Sequence, residues 1–177
     1  MRKQANVILM SKHDFEAFYD CCHDILNHPV FLKQKTFIHH DQITVYEHVV
    51  IVAYYAYLVA KKVSLKPHDL VCGALLHDFF LYDWHIEGKV RRKKLFQKHG
   101  FTHAKLAAQN AEIYFAISSV QKDIIKKHMF PLNLSAPLFV ESWLVNIIDS
   151  YVTFKEYFDQ SNQLRKQLIK YIEDHQK

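Results

Sequence analysis

The sequence is poor in the residues that build tight turns, since its 177 residues include only 3 Gly and 4 Pro. A β-rich protein needs many such turns, and these are made largely from Gly, Asn and Pro. The shortage argues against an all-β architecture and favours long helices joined by few sharp turns. Half of the residues are hydrophobic, which excludes intrinsic disorder and predicts one domain with one sizeable core.

Disulfides, membrane spans and strong net charge are also missing from the pattern. The three cysteines, Cys21, Cys22 and Cys72, are odd in number and form no CxxC pair, so a reducing cytoplasm is the predicted location. The longest apolar run, residues 49–60, covers about 12 positions, whereas a span takes roughly 20. The N-terminus has no signal-peptide pattern, so neither a leader nor membrane association is expected. A net charge of +5 suits an anionic ligand and makes no strong case for nucleic acid.

Hydrophobic periodicity predicts a bundle of about seven to nine helices. The first covers residues 11–27 with Ser11 as its N-cap, and the second covers residues 44–62 with Thr44 as its N-cap. Pro67 suits the first position of the next helix, which is expected to run to about Phe80.

Later helices are predicted to begin at Thr102 as a cap and at Ser118 or Ser119, and the last two are predicted over residues 138–159 and 160–174. The polar link that holds His39, His40 and Asp41 is interpreted as an exposed helix start.

The most informative stretch is residues 71–83, VCGALLHDFFLYD, where an apolar helix ends in His77 and Asp78. A carboxylate among apolar neighbours is costly unless it is paired or coordinates a metal. Other segments place an imidazole or a carboxylate beside apolar helix positions, at His48, His103, His128 and Asp149. The spacings of 21 to 29 residues match one helix and one loop each, so antiparallel helices can return every group to the same level. Imidazole and carboxylate together bind Fe, Mn, Zn and related metals.

Each of these groups also has a simpler interpretation. His48 can be a hydrogen-bonded core histidine, and His103 can be an ordinary first-turn residue, with His99 as a rival for its ligand role. His128 can be a favourable cation at a helix C-terminus, and Asp149 can be paired with Lys or Arg. The shared ordering of the groups along the chain favours the metal site over these separate roles.

The order H…HD…H…H…D, with LLHDFF around the dyad and YEHVVIVA around His48, resembles the HD-domain superfamily of metal-dependent phosphohydrolases over roughly residues 40–155. The resemblance implies an all-α HD-domain helical bundle, here a single domain over residues 1–177 with flanking N- and C-terminal helices. It implies two metal ions, with Fe or Mn as the first choice and Zn, Mg, Ni or Co as alternatives. One ion would be held by His48, His77, Asp78 and Asp149. The second would be held by His103 and His128, with Asp78 bridging.

The same resemblance implies hydrolysis of a phosphomonoester or phosphodiester in a small phosphorylated molecule, a nucleotide among the candidates, by a metal-bound hydroxide. Asp78 is then a catalytic residue, and Asp83 is a candidate to orient the attacking water or to accept a proton. The basic run between two predicted helices is a candidate phosphate-binding segment, with a solvated surface as its simpler interpretation: Arg91, Arg92, Lys93 and Lys94.

Two other functions remain open from the sequence. HD-type folds with the same six ligands include mixed-valence di-iron oxygenases, such as the one that cleaves myo-inositol. A non-catalytic nucleotide-binding module with a structural metal is the third hypothesis. Relatives that hydrolyse guanosine tetraphosphate carry a Glu-Asp pair after the dyad, and residues 79–82 of this chain do not contain it. The Gly-Tyr-Pro element of the cyclic-di-GMP phosphodiesterases is also missing from the sequence. The expected partner is a small phosphorylated substrate, and the oligomeric state is open.

Overall fold

A computed structural model describes residues 12–40, 42–82, 99–158 and 163–176, with the side chains of residues 99–102 outside the description. Within those ranges the chain forms eight α-helices, which confirms the predicted all-α class. They are α1 (Lys12–Leu26), α2 (Pro29–Leu32), α3 (Val45–Lys62), α4 (Pro67–Leu76), α5 (His99–Tyr114), α6 (Ser119–Lys127), α7 (Val140–Phe158) and α8 (Gln163–His175). A 3₁₀-helix (Lys33–Thr36) leads into a small antiparallel hairpin of β1 (Ile38–His40) and β2 (Ile43–Thr44).

Two of the helices begin at capping boxes, in which the N-cap residue and the residue three positions later each accept, with their side chain, a hydrogen bond from the backbone N–H of the other. At α3, Thr44 Oγ1 accepts a hydrogen bond from the Glu47 backbone N–H (3.2 Å), and the Glu47 carboxylate accepts one from the Thr44 N–H (2.9 Å). Ser118 and Gln121 make the same exchange at α6. The predicted caps Thr44 and Ser118 are therefore confirmed, as is Pro67 at the first position of α4.

Other predicted helix ends are corrected. The helix that carries the dyad ends at Leu76 and not near Phe80, because the chain turns at His77 and Asp78. Thr102 lies inside α5 and not at its cap, since a capping residue has a non-helical backbone and Thr102 is helical. Ser11 lies outside the described residues.

The centre of the bundle is α3, whose apolar run is buried on almost every side. Such a helix belongs to a protein core, as its hydrophobicity all round indicates. Among the residues that the structure describes, no helix is both long and apolar enough to cross a membrane.

A glycine sets the distance between α4 and α6. A Cβ built on Gly73 would lie 2.6 Å from Cδ1 of Ile124 and 3.1 Å from its Cβ and Cγ2. Contacts between carbon atoms are normally about 3.5–4.0 Å, so only a residue without a side chain permits this approach. The close packing brings the C-terminal ends of α4 and α6 together, and both ends carry predicted site residues.

Candidate metal centre

The structure brings the six predicted ligands together at one buried place. His48 lies near the start of α3, and Asp149 lies in the middle of α7. The others come from the turn after α4, from α5 and from the end of α6: His77, Asp78, His103 and His128. Their donor atoms form two groups, each with all donor atoms within 4.8 Å of one another: His48, His77 and Asp149, then Asp78, His103 and His128.

The first group is built around the Asp149 carboxylate. Its Oδ1 lies 3.0 Å from His48 Nε2 and 3.7 Å from His77 Nε2. Thr153, one turn further along α7, donates a 3.4 Å hydrogen bond to the same oxygen. Three elements, α3, α7 and the turn after α4, therefore converge on a single carboxylate oxygen.

The second group is built from two facing imidazoles and Asp78. The Nε2 atoms of His103 and His128 are 2.9 Å apart. Asp78 Oδ1 lies 3.3 Å from the first of these atoms and 3.5 Å from the second. All three side chains are buried.

Asp78 lies between the two groups and faces both. While Oδ1 is directed to His103 and His128, Oδ2 lies 3.7 Å from His77 Nε2. The two oxygens of one carboxylate thus face different imidazoles, those of His103 and His128 on one side and that of His77 on the other. This is the arrangement that a bridging carboxylate requires.

Several nitrogen and oxygen atoms of these side chains are available to bind a metal. His77 Nδ1 donates to the Ala74 carbonyl (2.7 Å), and His128 Nδ1 donates to the Ile125 carbonyl (2.8 Å), so each Nε2 carries its lone pair toward the centre. His77 Nε2 and Asp78 Oδ1 are buried and make no hydrogen bond within the described chain. Buried polar atoms of this kind are rare unless water or an ion satisfies them. Imidazole nitrogens held by backbone carbonyls are also typical of metal ligands.

Burial and neighbouring charge shift the pKa values of these groups strongly. Burial alone would raise the pKa of Asp78 and of Asp149. However, the charge of His77 lowers the pKa of Asp78, and a hydrogen bond from His48 lowers the pKa of Asp149. Both pKa values therefore lie well below their usual range. Burial would lower the pKa of His48, but the hydrogen bonds that its ring donates to Asp149 and Glu156 raise it to about 10. Burial, aided by the charge of His77, lowers the pKa of His128 to about 3. The centre therefore combines ionised carboxylates with a neutral His128, while His48 carries a proton between two carboxylates that a bound metal would have to displace.

A second layer around His48 was missed by reasoning from the sequence. The Glu156 carboxylate accepts hydrogen bonds from His48 Nδ1 (2.9 Å) and His40 Nε2 (3.0 Å), and Arg165 Nη1 lies 3.5 Å from its other oxygen. Burial would raise the pKa of Glu156, but the hydrogen bond from His48 lowers it overall. This carboxylate fixes the His48 ring so that Nε2 points at Asp149.

The prediction that His39 and His40 belong to an exposed helix start is wrong. Both lie in β1, and their side chains are only 19% and 12% exposed. The pairing register shifts between Ile38 and His40, and such irregularities re-aim side chains. The His39 ring stacks on His48 (centroids 4.0 Å apart, planes at 10°), and its Nε2 lies 3.6 Å from Asp78 Oδ2.

Several predicted residues lie outside the described residues, among them the rival histidine His99, whose side chain is not covered. The others are the candidate acid–base residue and the candidate phosphate-binding residues: Asp83, Arg91, Arg92, Lys93 and Lys94. Asp41 is likewise outside them. The roles of these residues stay predictions.

Only a weak signal in the sequence could have identified Glu156. It follows Asp149 by seven residues, two helical turns, and so lies on the same face of α7. Arg165 shares a face of α8 with the buried residues Leu168 and Ile172, which marks it as an inward-facing cation.

Comparison with known proteins identifies the family. The HD domain family model matches residues 45–153, more than half of the chain. A search of curated proteins and a search of solved structures each found no match. The matched range contains all six predicted ligands, and the superfamily consists mostly of metal-dependent phosphohydrolases. This chain, with its buried His and Asp groups suited to divalent metal ions, belongs to the HD-domain family.

Proposed function

We propose that the protein is a phosphohydrolase that cleaves a phosphoester bond in a small phosphorylated molecule and uses two metal ions. The first ion would be held by His48, His77, Asp78 and Asp149. The second would be held by His103 and His128, with Asp78 shared between them.

The observation that carries this proposal is the position of Asp78 between the two donor groups. A single-metal site needs one set of converging donors, whereas here Oδ1 and Oδ2 face different imidazoles. Paired ions that share ligands, when bound, lower the pKa of a water and stabilise charge on phosphoryl oxygens.

The chain's own residues would prepare the centre for that chemistry. Glu156 holds the Nδ1 proton of His48, and backbone carbonyls hold the corresponding protons of His77 and His128. Their rings are thus fixed before any substrate arrives, which avoids reorganisation during the reaction. The buried Phe80 ring lies beside His103, with 6.0 Å between the ring centroids, where it would limit the access of bulk water from one side.

The substrate would be bound by residues that follow the dyad along the chain. Arg91 and Arg92 can clamp phosphate oxygens with bidentate hydrogen bonds, and Lys93 and Lys94 can add point charges. Asp83 would orient the attacking water or receive its proton. The mild positive charge of the whole chain supports an anionic substrate.

The test is phosphate release from a panel of phosphomonoesters, phosphodiesters and nucleotides. Wild-type protein loaded with Fe or Mn is compared with Asp78→Asn, which keeps the side-chain volume and removes the charge. The matched control is Asp174→Asn, because Asp174 is an exposed carboxylate on α8. Activity in wild type and in the control, with loss in Asp78→Asn, is expected.

Absence of cleavage across the panel by protein with verified metal content would refute the proposal. Oxygen consumption is measured on the same samples. Substrate-dependent oxygen uptake without phosphate release would assign the centre to the di-iron oxygenase type. Nucleotide binding without turnover, measured by calorimetry, would support a binding module.

A further inference from the structure

The outer face of α7 is apolar, which distinguishes it from the other long surface helices. In α7, all of whose residues the structure describes, no charged side chain is among the exposed positions. With the exception of Ser150, those positions are hydrophobic: Val140, Trp143, Ile147, Tyr151, Phe154, Tyr157 and Phe158. We call these seven residues the α7 face.

Two other peripheral helices, α8 and α1, show what a solvated face looks like in this protein. The exposed positions of α8 are all polar or charged: Gln163, Lys166, Gln167, Lys170, Glu173, Asp174 and His175. Those of α1 are also polar or charged: Lys12, His13, Asp20, His23 and Asp24. A helix side that faces water carries polar and charged residues, and the exposed side of α7 carries almost none. The α7 face is therefore a contact surface and not a solvated one.

The size of the face matches a stable protein interface. Its side chains are between 41% exposed, for Trp143, and 78% exposed, for Phe158. Since a large aromatic side chain presents roughly 150–250 Å², the seven together offer on the order of 700 Å², close to the roughly 800 Å² that each partner buries in a standard interface. Five of the seven are aromatic, as is typical of interface cores.

The arrangement of the face indicates that its partner is a second copy of the chain. In a two-fold contact the same surface meets itself, so positions equidistant from the axis face each other. Val140 and Phe158 lie nine residues on either side of position 149, and Ile147 and Tyr151 lie two residues on either side. An antiparallel pair of α7 helices would thus place a smaller aliphatic residue opposite a larger aromatic one in each of these pairs.

Charge also favours a second copy over an oppositely charged partner. Two chains that each carry +5 repel unless they meet where charge is absent, and the α7 face is such a place. The one basic residue of α7, Lys155, directs its Nζ toward Tyr55 of α3 and Tyr151 of α7, at 5.8 Å from each ring centroid. We propose that the protein forms a two-fold dimer through antiparallel packing of the α7 faces.

The test uses the full chain and two charge variants in analytical ultracentrifugation. Wild type is expected to sediment as a dimer at micromolar concentration, at twice the chain mass of 21.0 kDa. Ile147→Lys and Tyr151→Glu each place a charge against an apolar neighbour, so each alone is expected to weaken the dimer by roughly a hundredfold. Gln167→Lys, on the polar face of α8, is the matched control and leaves the dimer intact.

Mixing the two variants tests the antiparallel register. In a mixed dimer the introduced amine and carboxylate face each other across one contact, and the native pair remains at the other. An equimolar mixture is therefore expected to recover dimer that neither variant forms alone. Circular dichroism of each variant must match wild type, which separates loss of the dimer from loss of the fold.

Three results would overturn the proposal. A wild type that is monomeric at all concentrations would mean that another partner or another segment of the chain covers the face. A dimer that survives both charge variants would use a different surface. Variants that remain monomeric on mixing, although folded, would contradict the antiparallel register.

Discussion

Replacing Gly73 by alanine tests whether the close approach of α4 and α6 holds the metal centre together. Two opposing effects decide the outcome. Alanine in a helix interior is favoured over glycine by about 1 kcal/mol. Against this, the new methyl group would meet Ile124 at 2.6 Å and 3.1 Å, and overpacking of a close-packed core costs about 1–3 kcal/mol.

The structure of the Ile124 side chain indicates that the cost of overpacking exceeds the gain in helix propensity. Only Cδ1 is the flexible end of Ile124, whereas its Cβ and Cγ2 belong to a β-branched group with a stiff first torsion. The side chain is also fully buried, so it cannot move outward into solvent. We therefore expect Gly73→Ala to lower the free energy of unfolding by about 1–2 kcal/mol, or the Tm by roughly 2–8 °C for a chain of this size.

The displacement of α4 from α6 should also change the geometry of the candidate metal centre. Since His128 is the C-terminal capping residue of α6 and His77 that of α4, pushing the helices apart separates the two donor groups. Thermal unfolding and metal content are measured for wild type, Gly73→Ala, Ile124→Val and the double variant. Ile124→Val removes Cδ1 and alone costs about 0.5–1.5 kcal/mol, but it should cost less, or stabilise, beside Ala at position 73. A Gly73→Ala protein that is more stable than wild type, with full metal content, would refute this reasoning.

Three further predictions concern the surroundings of the centre. Glu156→Gln should lower metal affinity by about 10–100-fold, because the neutral amide orients His48 less firmly; competition with a chelator measures this, and Glu173→Gln is the exposed control. Metal-free protein should lose stability as the pH falls below about 6.5. Burial, with the charge of a neighbouring histidine, lowers the pKa of both His39 and His128 to about 3, so unfolding takes up about two protons and stability falls by roughly 2.7 kcal/mol per pH unit. Denaturant titrations between pH 5 and 7 would contradict this if the midpoint did not move. Ser118→Ala should cost about 1–2 kcal/mol by urea unfolding, because it removes both the cap of α6 and the bond to Asp69; an unchanged midpoint would contradict the assigned cap.

The residues that meet in the candidate metal centre were predictable from the sequence because each one interrupts an apolar pattern. A histidine or aspartate that replaces a core position, as at His48 or Asp149, is visible in the periodicity of a single helix. The common spacing then predicts that the interruptions meet. No comparable signal marks Glu156, which lies among aromatic residues near the end of α7 and looks like an ordinary surface carboxylate.

The hairpin formed by β1 and β2 is a second feature that the sequence did not predict. His39 and His40 lie in a polar segment of three strand residues, which is too short to show an alternating pattern. Their burial depends on how β1 packs against α3 and α7, and this is decided by tertiary contacts. The local sequence alone therefore predicted an exposed link where the structure has a buried second layer.

The most direct test of the central claim is the metal content of the protein purified without chelators, measured for wild type beside His128→Ala. Our account predicts about two equivalents of metal in wild type and a fall toward one in the variant, because His128 belongs to only one of the two donor groups that meet at Asp78. Circular dichroism establishes that the variant is folded. One equivalent in both proteins would contradict the two-ion centre, and no metal in either after reconstitution would contradict a metal-dependent function altogether.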